Sequence, residues 1–525
     1  LTGNFGDDTL YGGAGNDTLT DDQGTNVLDG GDGNDRLAAH AINGDQTLLG
    51  GSGSDELNAT GQKVTLDGGD DRDYITAEGR IRKANNWVYT KNANATLLGD
   101  GGNDEIRAWS YSNVKAFGGD GNDYIQLGDW DDSYSIQKIQ AFGDQGDDSI
   151  FTYTRGRGEY YSGGDISSDQ SIVLSGGIGN DTLNQSIQSS GRQNRWNNYG
   201  QTTSQSSGGD GNDRIKIRAW DNYNQGIDIQ ANGDDGNDDI QIELYHSRSK
   251  DSAIVNADGG TGNDTIRVTG NNTYVGTKIK ISGGTGNDNI TVSETSAGRD
   301  EQATSNHGFS NVVINAGADD DTITVEGSLN TSITTGSGSD TIRLTAHQFR
   351  TQKQGQRTVF DAETSKWTNE KVNADPITIT DFTTGKAGDI LDYSDLLKCA
   401  AINYNGENPF STGHIKLVQS GRDTLFQFDA DGKGSSSSQL VTLAVLKNTR
   451  ASQLLTDNFN PNFPPDGSPA QGQTIRGTAN SDNLRGGFGD DTISGLAGDD
   501  TIDGQAGSDT IHGGDGNDNL TGNFG

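Results

Sequence analysis

The residues of this 525-residue chain whose types and spacing could do chemistry are aspartates held at fixed offsets from glycines. The unit is Gly-Gly-x-Gly-x-Asp, then any residue, then Ile or Leu. Clear copies are Gly12-Gly13-Ala14-Gly15-Asn16-Asp17, Gly118-Gly119-Asp120-Gly121-Asn122-Asp123 and Gly513-Gly514-Asp515-Gly516-Asn517-Asp518. Its last Asp marks a series of twenty: Asp8, Asp17, Asp35, Asp55, Asp73, Asp104, Asp123, Asp148, Asp181, Asp213, Asp238, Asp264, Asp288, Asp321, Asp340, Asp482, Asp491, Asp500, Asp509 and Asp518. Glycines at these offsets allow positive φ and close backbone approach, so successive carbonyls can turn toward one point. The Asp adds a carboxylate, and hard oxygens of this kind suit Ca²⁺, which takes about six to eight of them in flexible geometry. These twenty Asp are therefore the candidate metal ligands, and multiple Ca²⁺ ions the candidate cofactor.

The Ile or Leu two residues after each Asp starts a short strand with one apolar face. Stacked copies make parallel strands with ions wedged between turns. A flexible Gly/Asp linker would not place an apolar residue at a constant offset. The repeats resemble those of the RTX, or haemolysin-type calcium-binding, family, over about residues 1–345 and 473–525. The resemblance implies a parallel β-roll in which backbone carbonyls of the first four motif positions and the final Asp of adjacent turns share each ion.

Spacing divides the chain. From Asp482 to Asp518 the markers are nine residues apart, as a roll with ions on both edges requires, whereas from Asp17 to Asp340 they are 18 to 33 apart. One calcium turn per long coil accounts for the second pattern. The expected fold is all-β: a parallel β-helix of irregular coils over 1–345, a β-rich domain over 346–460, a Pro-rich linker over 461–472, and a regular two-sided β-roll over 473–525. All six Pro lie between 376 and 469, outside the repeats, where a Pro would cost a ladder hydrogen bond. Within 346–460, Asp389-Ile390-Leu391-Asp392-Tyr393-Ser394-Asp395-Leu396-Leu397 resembles a segment near the end of type I secretion substrates. A buried helical turn is expected to hold Leu391, Leu396, Leu397 and Cys399.

Composition bears on partners. The 75 acidic residues outweigh 38 Lys plus Arg, for a net charge of −37, and only 29% of residues are hydrophobic. Such a chain without ions is expected to be disordered. A polyanion does not seek nucleic acid, and no apolar run is long enough for a membrane span, so neither nucleic acid nor membrane insertion is expected. With no Met in the chain, Leu1 reads as the end of a processed form or of a segment of something longer. Leu-Thr-Gly-Asn-Phe-Gly occurs at both 1–6 and 520–525, and a restart at residue 7 would put Asp8 nine residues beyond Asp518. That continuity fits a longer chain of such units or a head-to-tail fibre.

Five of the six Trp (Trp87, Trp109, Trp130, Trp196 and Trp220) lie between calcium turns among Tyr, Asn and Arg. Packing, subunit contact and glycan binding all use such residues. No His-Glu-x-x-His or Gly-x-Ser-x-Gly is present, and the six His are scattered. An enzyme is not expected; a polysaccharide lyase or epimerase, its groove lined by Arg107, Arg155, Arg157, Arg192, Arg195 and Arg218, is the alternative. A flat ice-binding row would need Thr at the third motif position, where only Thr261 and Thr285 stand. The expectation is a secreted, calcium-dependent structural protein of the cell surface, a fibre, sheath or surface-layer subunit. Its partner would be itself, with cell-surface polysaccharide the other candidate.

Overall fold

The computed structural model describes residues 1–83, 86–89, 93–128, 137–155, 170–189, 201–221, 226–246, 253–271, 277–295, 311–327, 330–353, 357–361, 366–370, 375–432 and 440–522. They form two compact units, Leu1–Asn311 and Val312–Gly525.

In the first unit each coil contributes one strand before its glycine turn and one after it. The approach strands stack in parallel from Thr9–Ala14 through Asn26–Asp32, Asp45–Ser52 and Lys63–Asp70 to Lys278–Thr285. The exit strands stack likewise from Thr18–Asp21 through Arg36–His40 and Glu56–Thr60 to Asn289–Thr295. Register is set by the apolar residue two places after each marker. Leu19, Leu37, Leu57, Ile75, Ile106, Ile125, Ile150, Leu183, Ile215, Ile240, Ile266 and Ile290 are all buried and align one above the next. Each contributes about 1.5–3 kcal/mol by leaving water. A slip of one residue would turn the whole column outward.

Facing this column across the coil are Leu28, Leu48, Leu66, Leu97, Ala116, Ala141, Leu174, Ala231, Ala257 and Ile281. One coil departs from the apolar pattern: buried Ser204 donates to Gln185 Oε1 at 2.6 Å and Gln185 Nε2 donates to Ser206 at 3.0 Å, so its polar interior is satisfied internally. Arg80–Lys83 and Asn86–Tyr89 form a separate antiparallel hairpin that carries Trp87. Trp130, Trp196, Arg157, Arg192 and Arg195 lie outside the described residues.

In the second unit the same construction continues into the segment expected to stand as its own domain. Thr331–Ser337 pairs in parallel with Ile377–Ile379, which pairs with Val441–Leu446; Thr341–Arg343 pairs with Ile390–Asp392, which pairs with Phe459–Asn460. Residues 346–460 thus extend both ladders and add an antiparallel sheet of Ile415–Ser420, Asp423–Phe428 and Val441–Leu446. Tyr393 is buried at its centre among Phe410, Phe426 and Phe459, its hydroxyl donating to the Pro461 carbonyl at 2.6 Å. The expected helical turn is Ser394–Cys399, with Leu396 and Leu397 buried. Leu391 belongs instead to the preceding strand and Cys399 is exposed, because the strand register fixes Leu391 inward while Cys399 falls at the helix end. The Pro-rich stretch is packed rather than loose: Phe463 is buried against Phe488 and Asn408 donates to the carbonyls of Pro464 and Ser468.

The C-terminal roll has two parallel three-stranded sheets, Thr474–Arg476, Thr492–Ala497 and Thr510–Asp515 on one side and Asn483–Phe488, Thr501–Ala506 and Asn519–Thr521 on the other. Its strands alternate between sheets, so markers 18 residues apart share an edge.

Candidate metal centre

Each glycine turn brings the same atoms together. The N–H of a marker Asp donates to Oδ1 of the marker in the next coil: Asp17 to Asp35, Asp35 to Asp55, Asp55 to Asp73, and so on through Asp104, Asp123, Asp148, Asp181, Asp213, Asp238 and Asp264 to Asp288, at 2.6–2.8 Å. In the second unit Asp321 donates to Asp340 at 2.9 Å, and in the roll Asp482, Asp491 and Asp500 donate to Asp500, Asp509 and Asp518 at 2.8–2.9 Å. One carboxylate oxygen is thereby committed to the backbone.

The other is not. Oδ2 is buried and without a hydrogen-bond partner in every marker except Asp482 and Asp518. It faces the first glycine of its own turn and the corresponding glycine carbonyl of the next coil. A β-carbon on Gly30 would strike Asp35 Oδ2 and the Gly50 carbonyl; one on Gly118 would strike Asp123 Oδ2 and the Gly143 carbonyl. Gly121, with φ +131°, lies so close over the Gly102 carbonyl that no side chain fits. A buried carboxylate oxygen beside converging carbonyls, with no donor, lacks positive charge. Ca²⁺ fits this donor set, because it accepts carbonyl and carboxylate oxygens together. No cluster of three or more His, Cys, Asp or Glu occurs among the described residues. The backbone supplies most of the ligands, one carboxylate per turn the rest.

A scan of protein-family models finds the RTX calcium-binding nonapeptide repeat in four copies, at residues 2–37, 43–79, 476–511 and 494–525. The chain carries RTX calcium-binding repeats. No curated protein matches it. Within the matched copies the markers stand 9 or 18 residues apart, and the pairs Asp104–Asp123 and Asp321–Asp340, 19 apart, lie outside them. The described turns of the coils between them repeat the same marker hydrogen bond and the same glycine approach. RTX repeats bind calcium ions in multiple copies, and the ligand-ready oxygens of this chain run the length of each ladder.

Three features went unread in the sequence. The residue before the marker, commonly Asn, builds an outer ladder: the N–H of Asn34, Asn122, Asn212, Asn237, Asn263 and Asn287 each donates to the side-chain oxygen at the same place one coil earlier, at 2.6–3.0 Å. Asp389 is a further member of the marker ladder, accepting from the Asp340 N–H at 3.2 Å. Its Oδ2 is taken by Thr383 N–H and the Thr335 hydroxyl, so the ladder closes there without an orphaned oxygen. Its turn lacks the Gly-Gly-x-Gly signal. Third, amides stand where markers would. Gln473, nine residues before Asp482, donates its side-chain NH₂ to the Gly486 carbonyl at 3.0 Å. On the first unit's second edge, Asp8 is followed in register by Asn26, Gln46 and Val64; Asn26 donates to Gln46 and Gln46 donates to the Gly24 carbonyl at 2.9 Å. An N–H supplies there the positive end that an ion supplies elsewhere, and apolar residues then take over. This succession is why the long coils keep one calcium edge.

Two expected ligands differ from the rest. Asp482 Oδ2 accepts from the N–H and hydroxyl of Thr478, which stands where the motif has its second glycine. Asp518 is half-exposed in the last described turn.

Burial dominates the protonation of eight carboxyls in the middle of the ladder. It pushes the carboxyls of Asp55, Asp104, Asp181 and Asp238 up to about 6, those of Asp123, Asp148 and Asp213 to about 7 and that of Asp73 to about 8, against the lowering effect of each backbone N–H. Neighbouring carboxylates add to the rise at Asp73, Asp123 and Asp148. These folded-state values lie above the unfolded value near 3.9. The ion-free fold is therefore most stable below about pH 4 and loses that stability as pH rises through 6 to 8. Chelated protein titrated from pH 8 to pH 5 is expected to regain β signal in circular dichroism, protons standing in for calcium; an ion-free spectrum independent of pH over that range would contradict the assignment.

Proposed function

We propose that this chain is a secreted, non-catalytic structural protein that folds on meeting extracellular calcium and extends end to end, as a fibre, sheath or surface-layer element. The observation that carries the reading is that the nine-residue marker spacing a two-sided roll requires recurs at both ends of the sequence. Asp8 and Asp17 are nine residues apart, as are Asp509 and Asp518, and each end reads Leu-Thr-Gly-Asn-Phe-Gly in the same frame. The flanking apolar residues Leu1, Phe5, Tyr11 and Leu520 are exposed. A further roll coil, from the same polypeptide or a second copy, would cover them and pair the open strand edges. Repetition of such a heterologous contact gives a filament.

No helix among the described residues is long and apolar enough to cross a membrane. Export and assembly fit one mechanism: scarce cytosolic calcium leaves the polyanion expanded, and calcium outside supplies the folding energy site by site. Aromatic stacking supports packing over sugar binding in the described part. Trp220 lies face to face with Tyr245 of the adjacent strand, centroids 5.2 Å apart, and Phe117 with Phe142 at 5.0 Å. Ring faces covered in this way are closed to a glycan.

Electron microscopy of the purified chain in millimolar calcium is expected to show filaments that dissolve on chelation. Leu520→Pro, which removes an edge N–H and an exposed apolar side chain, is expected to abolish them while leaving the circular dichroism spectrum intact. Dispersed particles of the wild type at high concentration would overturn the assembly reading.

A further inference from the structure

The second edge of the first unit begins with a turn unlike the others. Gly3-Asn4-Phe5-Gly6-Asp7-Asp8 is a motif copy, and 18 residues on its partner turn reads Asp21-Asp22-Gln23-Gly24-Thr25-Asn26. Asp21 thus occupies the place of a first glycine. In the neighbouring turns of the first edge that place offers a backbone carbonyl to the preceding site, as Gly30 does to Asp17 and Gly50 to Asp35. Here the side chain enters instead. Asp21 is 1% exposed, its Oδ1 accepts from the Gln23 N–H at 3.0 Å, and its Oδ2 has no hydrogen-bond partner. Asp8 Oδ2 is likewise buried and without one. Both oxygens aim at the same point: a β-carbon built on Gly3 would collide with Asp21 Oδ2 and lie 2.8 Å from Asp8 Oδ2.

We infer that Asp8 and Asp21 form a two-carboxylate cation site across Gly3, with a higher negative charge than the single-carboxylate turns of the ladder and a preference for highly charged hard cations. Two facing, desolvated carboxylates repel unless a cation or a shared proton lies between them. Both carboxylates keep one buried oxygen without a donor and aim it at the same point, which favours the cation, and an added carboxylate raises affinity for hard ions. The site would fill first as calcium or a lanthanide rises, fixing the first coil before the longer ones. Asn26 and Gln46 follow it in register with amide donors, so this is where calcium chemistry on the second edge stops.

The inference rests on the ladder binding calcium at all, and one experiment separates the two. Full-length wild type and the Asp21→Asn and Asp21→Gly variants are loaded with terbium, passed over a column equilibrated with a weak chelator, and assayed for retained metal per chain. Wild type is expected to retain one equivalent more than Asp21→Asn, with at least tenfold slower release of that equivalent. Asp21→Gly restores the motif glycine and is expected to bind there with ordinary ladder affinity, which guards against a loss caused by misfolding. Equal retention in wild type and Asp21→Asn, both still binding calcium elsewhere, would show that the pair shares a proton and would overturn the site. Failure of all three chains to bind any metal would overturn the ladder itself along with the site.

Discussion

Chelation of calcium at pH 7.5 will convert the chain from a β-rich protein to an expanded polyanion, and far-ultraviolet circular dichroism will record loss of most of its β signal. Eighteen marker carboxylates, the twenty less Asp482 and Asp518, hold a buried oxygen with no donor. Ionising such buried carboxyls with no cation beside them costs up to several kcal/mol each, more in sum than the net stability of about 5–15 kcal/mol that folded proteins possess. Ion binding reverses the sign: a site at a free calcium concentration one hundred times its dissociation constant adds about 2.7 kcal/mol. Eighteen divalent ions would carry about +36 against the net charge of −37. Readdition of calcium is expected to restore the spectrum, and size-exclusion elution should move from an expanded to a compact volume in step. A β spectrum unaltered by chelator at this pH would sink the account.

The second large effect is steric. Gly121→Ala will cost about 3–5 kcal/mol, because Gly121 has φ +131° and its missing β-carbon would overlap the Gly102 carbonyl of the adjacent coil. Backbone cannot swing aside as a side chain can, so the coils must separate and the carbonyls that converge on the neighbouring sites move with them. Gly15→Ala is the control. It occupies the same motif position, with φ +106°, but nothing lies within 4 Å of its β-carbon. It should cost only the conformational strain, about 1–2 kcal/mol. Calcium titrations followed by circular dichroism compare them: Gly121→Ala is expected to need severalfold more calcium and to fold in two phases, since damage to one coil of a stacked array divides its cooperativity. Equal midpoints for the two variants would remove close coil stacking as a requirement for the sites.

Much of the site was legible because the motif encodes local geometry. Asp35, Asp123 and Asp213 follow glycines at fixed offsets and precede Leu37, Ile125 and Ile215, so turn, ligand and inward strand residue are specified within eight residues. What escaped was decided by neighbours in other coils. Asp389 resembles no repeat, yet strand pairing of Ile390–Asp392 with Thr341–Arg343 places it as the next marker after Asp340. Asp482 looked like a ligand, but Thr478 in place of a glycine turns a hydroxyl and an N–H onto it. Segment 346–460 read as separate because its sequence has no repeats; pairing needs only backbone groups in register, which leaves no periodic trace.

By itself the sequence determined the ion, the parallel all-β coil and the places where calcium turns recur, because these depend on glycine conformation, carboxylate chemistry and an apolar residue at constant offset. Only the tertiary structure decided which oxygens are free to meet an ion. That choice depends on coil-to-coil register, which joins residues 18 to 33 positions apart: it sets Asp21 opposite Asp8 across Gly3, puts the amides of Asn26 and Gln46 where the second edge gives up its ions, and leaves one oxygen of each ladder aspartate buried without a donor.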